Sequence, residues 1–254
     1  MYNVIKRALT ALVVVLVVVL AYSAVFAQSI VAPTGYKWNK TFDSATGAVS
    51  KTMPYGGCTH GAGELEYYTA GNVAKTSTGY TLTAQKQGYG GEPYTSGVVS
   101  TWDGFTQLYG LWECRAMMPT GKGLWPGFWL KNLTTWPPEI DVFEDYGAFG
   151  PNLIYQTLHW TDASGVHQCK SNIAKNPNAT TGYHVYAVDW EPASVTWYID
   201  GVQTSQQTTN IPKLPMFFIL DLAVQSKYPP DSTTTFPAKL PVDYVRVWQK
   251  SPSH

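Results

Sequence analysis

The sequence predicts an all-β protein built as a sandwich or barrel, and three observations carry that expectation. Short runs rich in Val, Thr, Tyr and Trp recur about every ten residues, punctuated by Gly, Pro and Asn. Within them apolar and polar residues alternate: Tyr80, Leu82 and Ala84 against Thr81 and Thr83, and Val195, Trp197 and Ile199 against Thr196, Tyr198 and Asp200, with Gly201 as the turn. Period two gives each strand one face for a core and one for solvent or a ligand. Beyond the first 27 residues, no segment sustains the apolar repeat of an amphipathic helix over three turns.

Residues 1–27 differ in kind: Lys6 and Arg7, then the apolar run ALTALVVVLVVVLAY, then SAVFA ending on the small Ala27. This is the layout of a secretory signal peptide cleaved after Ala27. An uncleaved anchor is the alternative, since the apolar run approaches the roughly 20 residues that span a bilayer. The most continuous apolar part is nearer the signal-peptide length and no charge cluster follows, which favours removal and a secreted product. Residues 28–254 then form a single domain, with no internal repeat and no linker.

Net charge is zero, 13% of residues are charged, and no Lys/Arg stripe appears. The long-range attraction that drives binding to nucleic acid or an anionic membrane is missing. The expected partner is neutral and the expected state a monomer. Of three cysteines, Cys114 lies in the strand-like LWECRAM and reads as a small buried residue. Cys58 and Cys169 lie in turn-rich stretches, and a bridge between them is permitted but not implied.

The chain holds 10 Trp and 17 Tyr, many in polar surroundings such as YKWNK, EYYTAGN and TLHWTD. Any single one can be core, but together they suit a sugar, whose C–H face needs an apolar platform and whose hydroxyls need polar partners.

The chemistry is concentrated in WPPEIDVFEDYG, where Glu139, Asp141, Glu144 and Asp145 fall within seven positions of a chain with only 17 acids. On a strand Glu139 and Asp141 share a face and Glu144 is out of phase by one. A β-bulge near Val142 and Phe143 would restore the phase and put all three on one face. Glu139 and Glu144 would then be four strand positions apart, about 13 Å between Cα atoms. Side chains leaning inward by about 4 Å each would bring the carboxyls to about 5 Å. That matches the roughly 5 to 5.5 Å gap of a retaining glycosidase. Three carboxyls on one face cannot all ionise cheaply, so at least one holds a proton. Glu139 is assigned as nucleophile, Glu144 as general acid and then base, and Asp141 as the assistant between them. An exposed acidic strand or a calcium site is the competing reading. Against it, Ile140, Val142 and Phe143 give this strand a core face.

Other signatures are absent. GKGLWPG lacks the Ser/Thr and following helix of a phosphate loop. The five histidines show no zinc-ligand spacing, and there is no GxSxG elbow.

EIDVFE resembles the catalytic signature of glycoside hydrolase family 16 in its bulged form, E-x-D-x-x-E, found in laminarinases, agarases and carrageenases. GELEYYTAGNV (63–73), YTSGVVSTWDGF (94–105), YGLWECRAMMPTGKGLWPGFWL (109–130), TLHW (157–160), WYIDG (197–201) and VDYVRVW (242–248) are similar to segments of that family in the same order. The resemblance implies a concanavalin-like β-jelly roll of two curved antiparallel sheets with an open cleft on the concave face. It supports the roles given to Glu139, Asp141 and Glu144. It also implies Trp125 as a stacking platform, Trp129 as platform or core, Asn72 and Glu64 as donor-side sugar contacts, and His159 beside the acids, with Trp136 and Trp160 as further contacts. Asp243 matches a position near a structural calcium on the convex side, while hydrolysis itself needs no cofactor.

Laminarinases frequently carry Arg after YTSG, where this chain has Val98. The expectation is a secreted, retaining endo-β-glucanase acting on β-1,3 or mixed β-1,3/1,4 glucans. The alternatives are a depolymerase of a succinoglycan-like polymer or agar, a transglycosylase, and a carbohydrate-binding module without turnover.

Overall fold

A computed structural model describes residues 38–53, 63–150 and 152–250. The leader and Cys58 lie outside them. The strands are β1 (Trp38–Asp43), β2 (Glu66–Tyr68), β3 (Val73–Lys75), β4 (Tyr80–Ala84), β5 (Tyr94–Ser96), β6 (Val98–Ser100), β7 (Gly110–Ala116) and β8 (Leu124–Asn132). They continue as β9 (Glu139–Asp145), β10 (Leu153–Thr161), β11 (His167–Lys175), β12 (His184–Glu191), β13 (Ser194–Ile199), β14 (Val202–Gln207), β15 (Met216–Val224) and β16 (Ala238–Lys250). The all-β expectation holds: apart from one 3₁₀ turn at Ala70–Asn72, every named element is a strand.

Two antiparallel sheets stack. The larger runs β14-β13-β12-β7-β16-β4-β3, with β1 added against the far end of β16; the smaller runs β11-β10-β9-β8-β15-β6. The short β2 and β5 pair in parallel beside them. Central strands are buried on both faces, as β7 and β15 are along their whole length, charged residues included, whereas β4 keeps the alternation read from its sequence.

The inner faces meet in one large core that includes Trp112, Trp190 and Trp197 from the larger sheet and Phe128, Ile140, Val142, Phe143 and Phe218 from the smaller. Burying a large apolar side chain contributes roughly 1.5 to 3 kcal/mol, so this layer fixes how the smaller sheet presents its other face. Cys114 belongs to the same core, and burial pushes its thiol well above the usual range. Cys169 on β11 is exposed and carries a free thiol. A second, smaller cluster of Met53, Tyr68, Val98, Trp129, Phe217 and Ile219 lies apart from that core. Since Trp129 also lines the cleft, this cluster braces the outward face of the smaller sheet.

Candidate active site

The site begins with a fault in β9. Against β8, Phe143 pairs with Phe128 but Asp141 pairs with Trp129; against β10, Glu144 pairs with Tyr155 but Asp141 pairs with Thr157. Both neighbours lose one residue at Val142–Phe143, the bulge the sequence demanded. Val142 and Phe143 both enter the core, and Glu144 emerges on the face of Glu139 and Asp141. A bulge strands backbone groups from the ladder. The Trp197 indole, reaching across the core from β13, donates to the Asp141 carbonyl at 2.8 Å.

The three carboxyls line one cavity of about 200 Å³ with Glu64, Trp125, Trp129, Trp136 and Asp221. Glu139 and Glu144 lie opposite Lys131 and Gly127 of β8, four positions apart, as the spacing argument assumed. Gly127 fits closely beside Glu144: a Cβ there would stand 3.1 Å from Asp221 Oδ1 and 3.2 Å from the Trp129 ring.

Each carboxyl is held by donors. Trp136 Nε1 donates to Glu139 Oε2 at 2.9 Å. Trp125 Nε1 at 2.9 Å and Tyr146 Oη at 3.1 Å both donate to the same oxygen of Glu144, Oε1. His159 Nε2 lies 3.0 Å from Asp141 Oδ2 and 3.6 Å from Glu139 Oε1. One oxygen of Glu139, one of Asp141 and a ring nitrogen of His159 lie within 4.8 Å of one another.

Burial is the largest influence on all three, favouring the neutral acid. It pushes Glu139 up to about 8, reinforced by Asp141 and opposed by His159 and the Trp136 N–H. Asp141 is held well above the usual carboxylate range, first by burial and then by Glu144. Glu144 is also raised by burial, against the pull of its Trp125 and Tyr146 donors. Asp221 is pushed up to about 8 by burial and by Glu64, while accepting from Trp129 Nε1 and Tyr68 Oη, each at 2.9 Å.

Most residues expected at the site are here: Glu139, Asp141, Glu144, Glu64, Trp125, Trp129 and Trp136 line the cavity, and His159 contacts two of its acids. Trp125 stacks on Tyr146 with centroids 5.2 Å apart, and Trp136 is 50% exposed, a ring available to a ligand.

Two expectations, for Trp160 and Asp243, need correction, and Asn72 lies elsewhere than the acids. Trp160, next to His159, points to the opposite face of β10 and packs against the main core. Asn72 does not line the cavity of the acids; its amide donates to the Thr83 carbonyl at 2.7 Å and to Thr95 Oγ1 at 3.2 Å, and it lines a separate groove with Tyr67, Tyr68 and Tyr89. Asp243 does not fit a calcium ligand. One oxygen takes the Arg115 guanidinium at 2.6 Å and the other the Thr78 hydroxyl at 3.1 Å, and a cation there would meet an existing positive charge. His167 went unnoticed in the sequence: its Nε2 lies 2.9 Å from His159 Nδ1. The TDASGV turn between two strand-like runs is the signal that could have brought the two histidines onto one face.

Buried carboxyls spaced along one strand, in a cleft walled by indole rings, define a sandwich domain with a site suited to acid–base chemistry. Comparison with known proteins narrows the class. The family model for glycosyl hydrolases family 16 matches residues 64–246. A beta-glucanase of Rhodothermus marinus is 29% identical over 246 residues, covering 84% of each chain. An endo-1,3-1,4-beta-glycanase of Rhizobium meliloti is 35% identical over 170 residues, which are 66% of this chain and 35% of that one. This chain thus spans about a third of the length of that relative. The solved laminarinase from Rhodothermus marinus superimposes with a TM-score of 0.72 at 28% identity, over 85% of this chain and 99% of that one. The chain belongs to glycosyl hydrolases family 16 and is, by family, a glycoside hydrolase.

Proposed function

We propose that the protein is a secreted endo-β-glucanase that hydrolyses β-1,3 or mixed β-1,3/1,4 linkages by double displacement. The observation that carries this reading is the register shift in β9, which gives Glu139 and Glu144 a common face at four-residue separation. At about 3.3 Å per residue this is the separation from which two Glu side chains reach a retaining gap.

Glu139 is the nucleophile and forms the glycosyl ester. Its proton passes to Asp141, whose raised carboxyl is suited to hold it while Glu139 is ionised. Glu144 is the general acid. Because Trp125 and Tyr146 both address Oε1, Oε2 is left to carry the proton to the departing oxygen. In the second half-reaction the same oxygen takes a proton from water. The indole walls suit the C–H face of a glucose unit. Val98, where laminarinases frequently carry Arg, is fully buried with Trp129, which supports a neutral polymer. The named relatives, a beta-glucanase and an endo-1,3-1,4-beta-glycanase, support a glucan. Residues 1–27 support export.

The test is release of reducing ends, with product sizing, from laminarin, mixed-linkage β-glucan, agarose and a succinoglycan, and early-time NMR of the product anomer. Retention of configuration on a β-glucan, with loss of several orders of magnitude in Glu139→Gln, is the expected result. Inversion, or a Glu139→Gln variant within a few-fold of wild type, overturns the assignment. Binding without turnover of any polymer returns the domain to a binding module.

A further inference from the structure

We propose that His167 is a positioning residue for the carboxylate cluster, acting through His159. This inference rests on the roles given above to Glu139 and Asp141. Four side chains close a ring. Trp136 Nε1 donates to Glu139 Oε2 at 2.9 Å, and Glu139 Oε1 lies 3.6 Å from His159 Nε2. His159 Nδ1 meets His167 Nε2 at 2.9 Å, and the His167 ring returns to the Trp136 ring at a centroid distance of 4.6 Å. Asp141 joins through the 3.0 Å contact to His159 Nε2.

Proton placement follows from which atoms face one another. His159 Nε2 faces acceptor oxygens of two carboxyls, Asp141 Oδ2 at 3.0 Å and Glu139 Oε1 at 3.6 Å. That nitrogen therefore bears hydrogen, and in the neutral ring Nδ1 bears the lone pair. His167 Nε2–H is the donor that satisfies it. Without His167, His159 is free to take the other tautomer, setting a lone pair against the Asp141 carboxyl and releasing the residue that holds Glu139. Partners of this kind fix the tautomer and orientation of a histidine they never leave. The pairing comes from the β10–β11 hairpin, where His159 lies opposite Cys169 and His167 opposite Thr161. The two histidines are thus diagonal neighbours on one face, within reach of each other.

The experiment compares wild type with His167→Phe and His167→Gln. Long-range ¹⁵N imidazole NMR reads the His159 tautomer whether or not the right glucan is in hand. Steady-state kinetics on the best β-glucan splits kcat from KM. The expected result is an Nε2–H His159 in wild type, loss of that single tautomer in His167→Phe with kcat lower by about tenfold and KM within about twofold, and recovery of both by His167→Gln, whose amide can donate. The proposal is overturned if the tautomer is unchanged in His167→Phe, if the loss lies in KM, which would make His167 a sugar contact, or if Gln fails to restore the tautomer. Failure of wild type on every β-glucan, with the tautomer response as expected, would sink the glucanase reading and leave the proton arrangement standing.

Discussion

Asp145 follows Glu144 on β9 but turns the other way, opposite the core residue Ile154. It is 1% exposed, and neither carboxyl oxygen has a hydrogen-bond partner among the described residues. Burial alone pushes its pKa from 3.8 up to about 8. A raised acid penalises folding as pH rises: below about pH 4 both folded and unfolded chains hold the proton and the penalty is absent. It grows between about pH 4 and 8, where only the unfolded chain ionises, and is constant above that. By pH 7 the interval covers about three pH units, worth up to about 4 kcal/mol at roughly 1.4 kcal/mol per unit. Asp145→Asn keeps the shape and removes the ionisation. The variant is expected to match wild type within about 1 kcal/mol at pH 4 and to exceed it by up to about 4 kcal/mol at pH 7. Urea unfolding of both proteins from pH 4 to 8 measures the gap. Because Glu139 and Asp221 titrate in both proteins, the difference isolates Asp145. A gap that stays flat across that range would mean that Asp145 is already ionised in the folded chain, and the burial argument would fall.

Other outcomes follow from the same structure. Trp125→Phe and Tyr146→Phe each remove a donor that stabilises ionised Glu144. In either variant the pKa of Glu144 rises and the alkaline limb of the kcat/KM profile moves to higher pH; a limb that stays in place would show that Glu144 does not set it. Trp129→Phe removes the 2.9 Å N–H bond to Asp221 and leaves its buried carboxyl one donor short, which costs about 1 to 3 kcal/mol in thermal or urea unfolding. Calcium or a chelator leaves the unfolding midpoint unchanged, since Arg115 already neutralises Asp243; a rise with calcium would locate a cation site elsewhere.

The fold was legible because period-two alternation and turn residues are local signals, and β4 and β13 carry them plainly. The bulge was legible for a sharper reason: Glu144 is one residue out of phase with Glu139 and Asp141, and only an extra residue brings it back. What stayed hidden depends on which face of a strand a residue takes and on which element packs over it. Trp160 adjoins His159, yet one strand position reverses its direction and sends it into the core. Asn72 sits in a segment typical of sugar contacts, but its amide is consumed by Thr83 and Thr95, residues from two other strands. His167 escaped a search for metal-ligand spacing because its partner lies across a hairpin.

The abundance of tryptophan has a more exact meaning than a taste for sugar. Three cleft indoles each donate to a different acid: Trp136 to Glu139, Trp125 to Glu144, and Trp129 to Asp221. An indole offers one N–H, no lone pair and no charge. A lysine or arginine in the same place would hold the carboxylate as firmly, but it would pull the pKa down and draw water into the cleft. An asparagine would add an acceptor competing for the sugar hydroxyls. With indoles the acids are oriented while the cleft stays apolar, so that burial keeps the carboxyls raised. Exposed ring surface on Trp136 remains for the substrate. Orientation and proton retention are thereby supplied by one residue type. The imidazole that touches two of the acids, His159, is itself held by a second imidazole, that of His167.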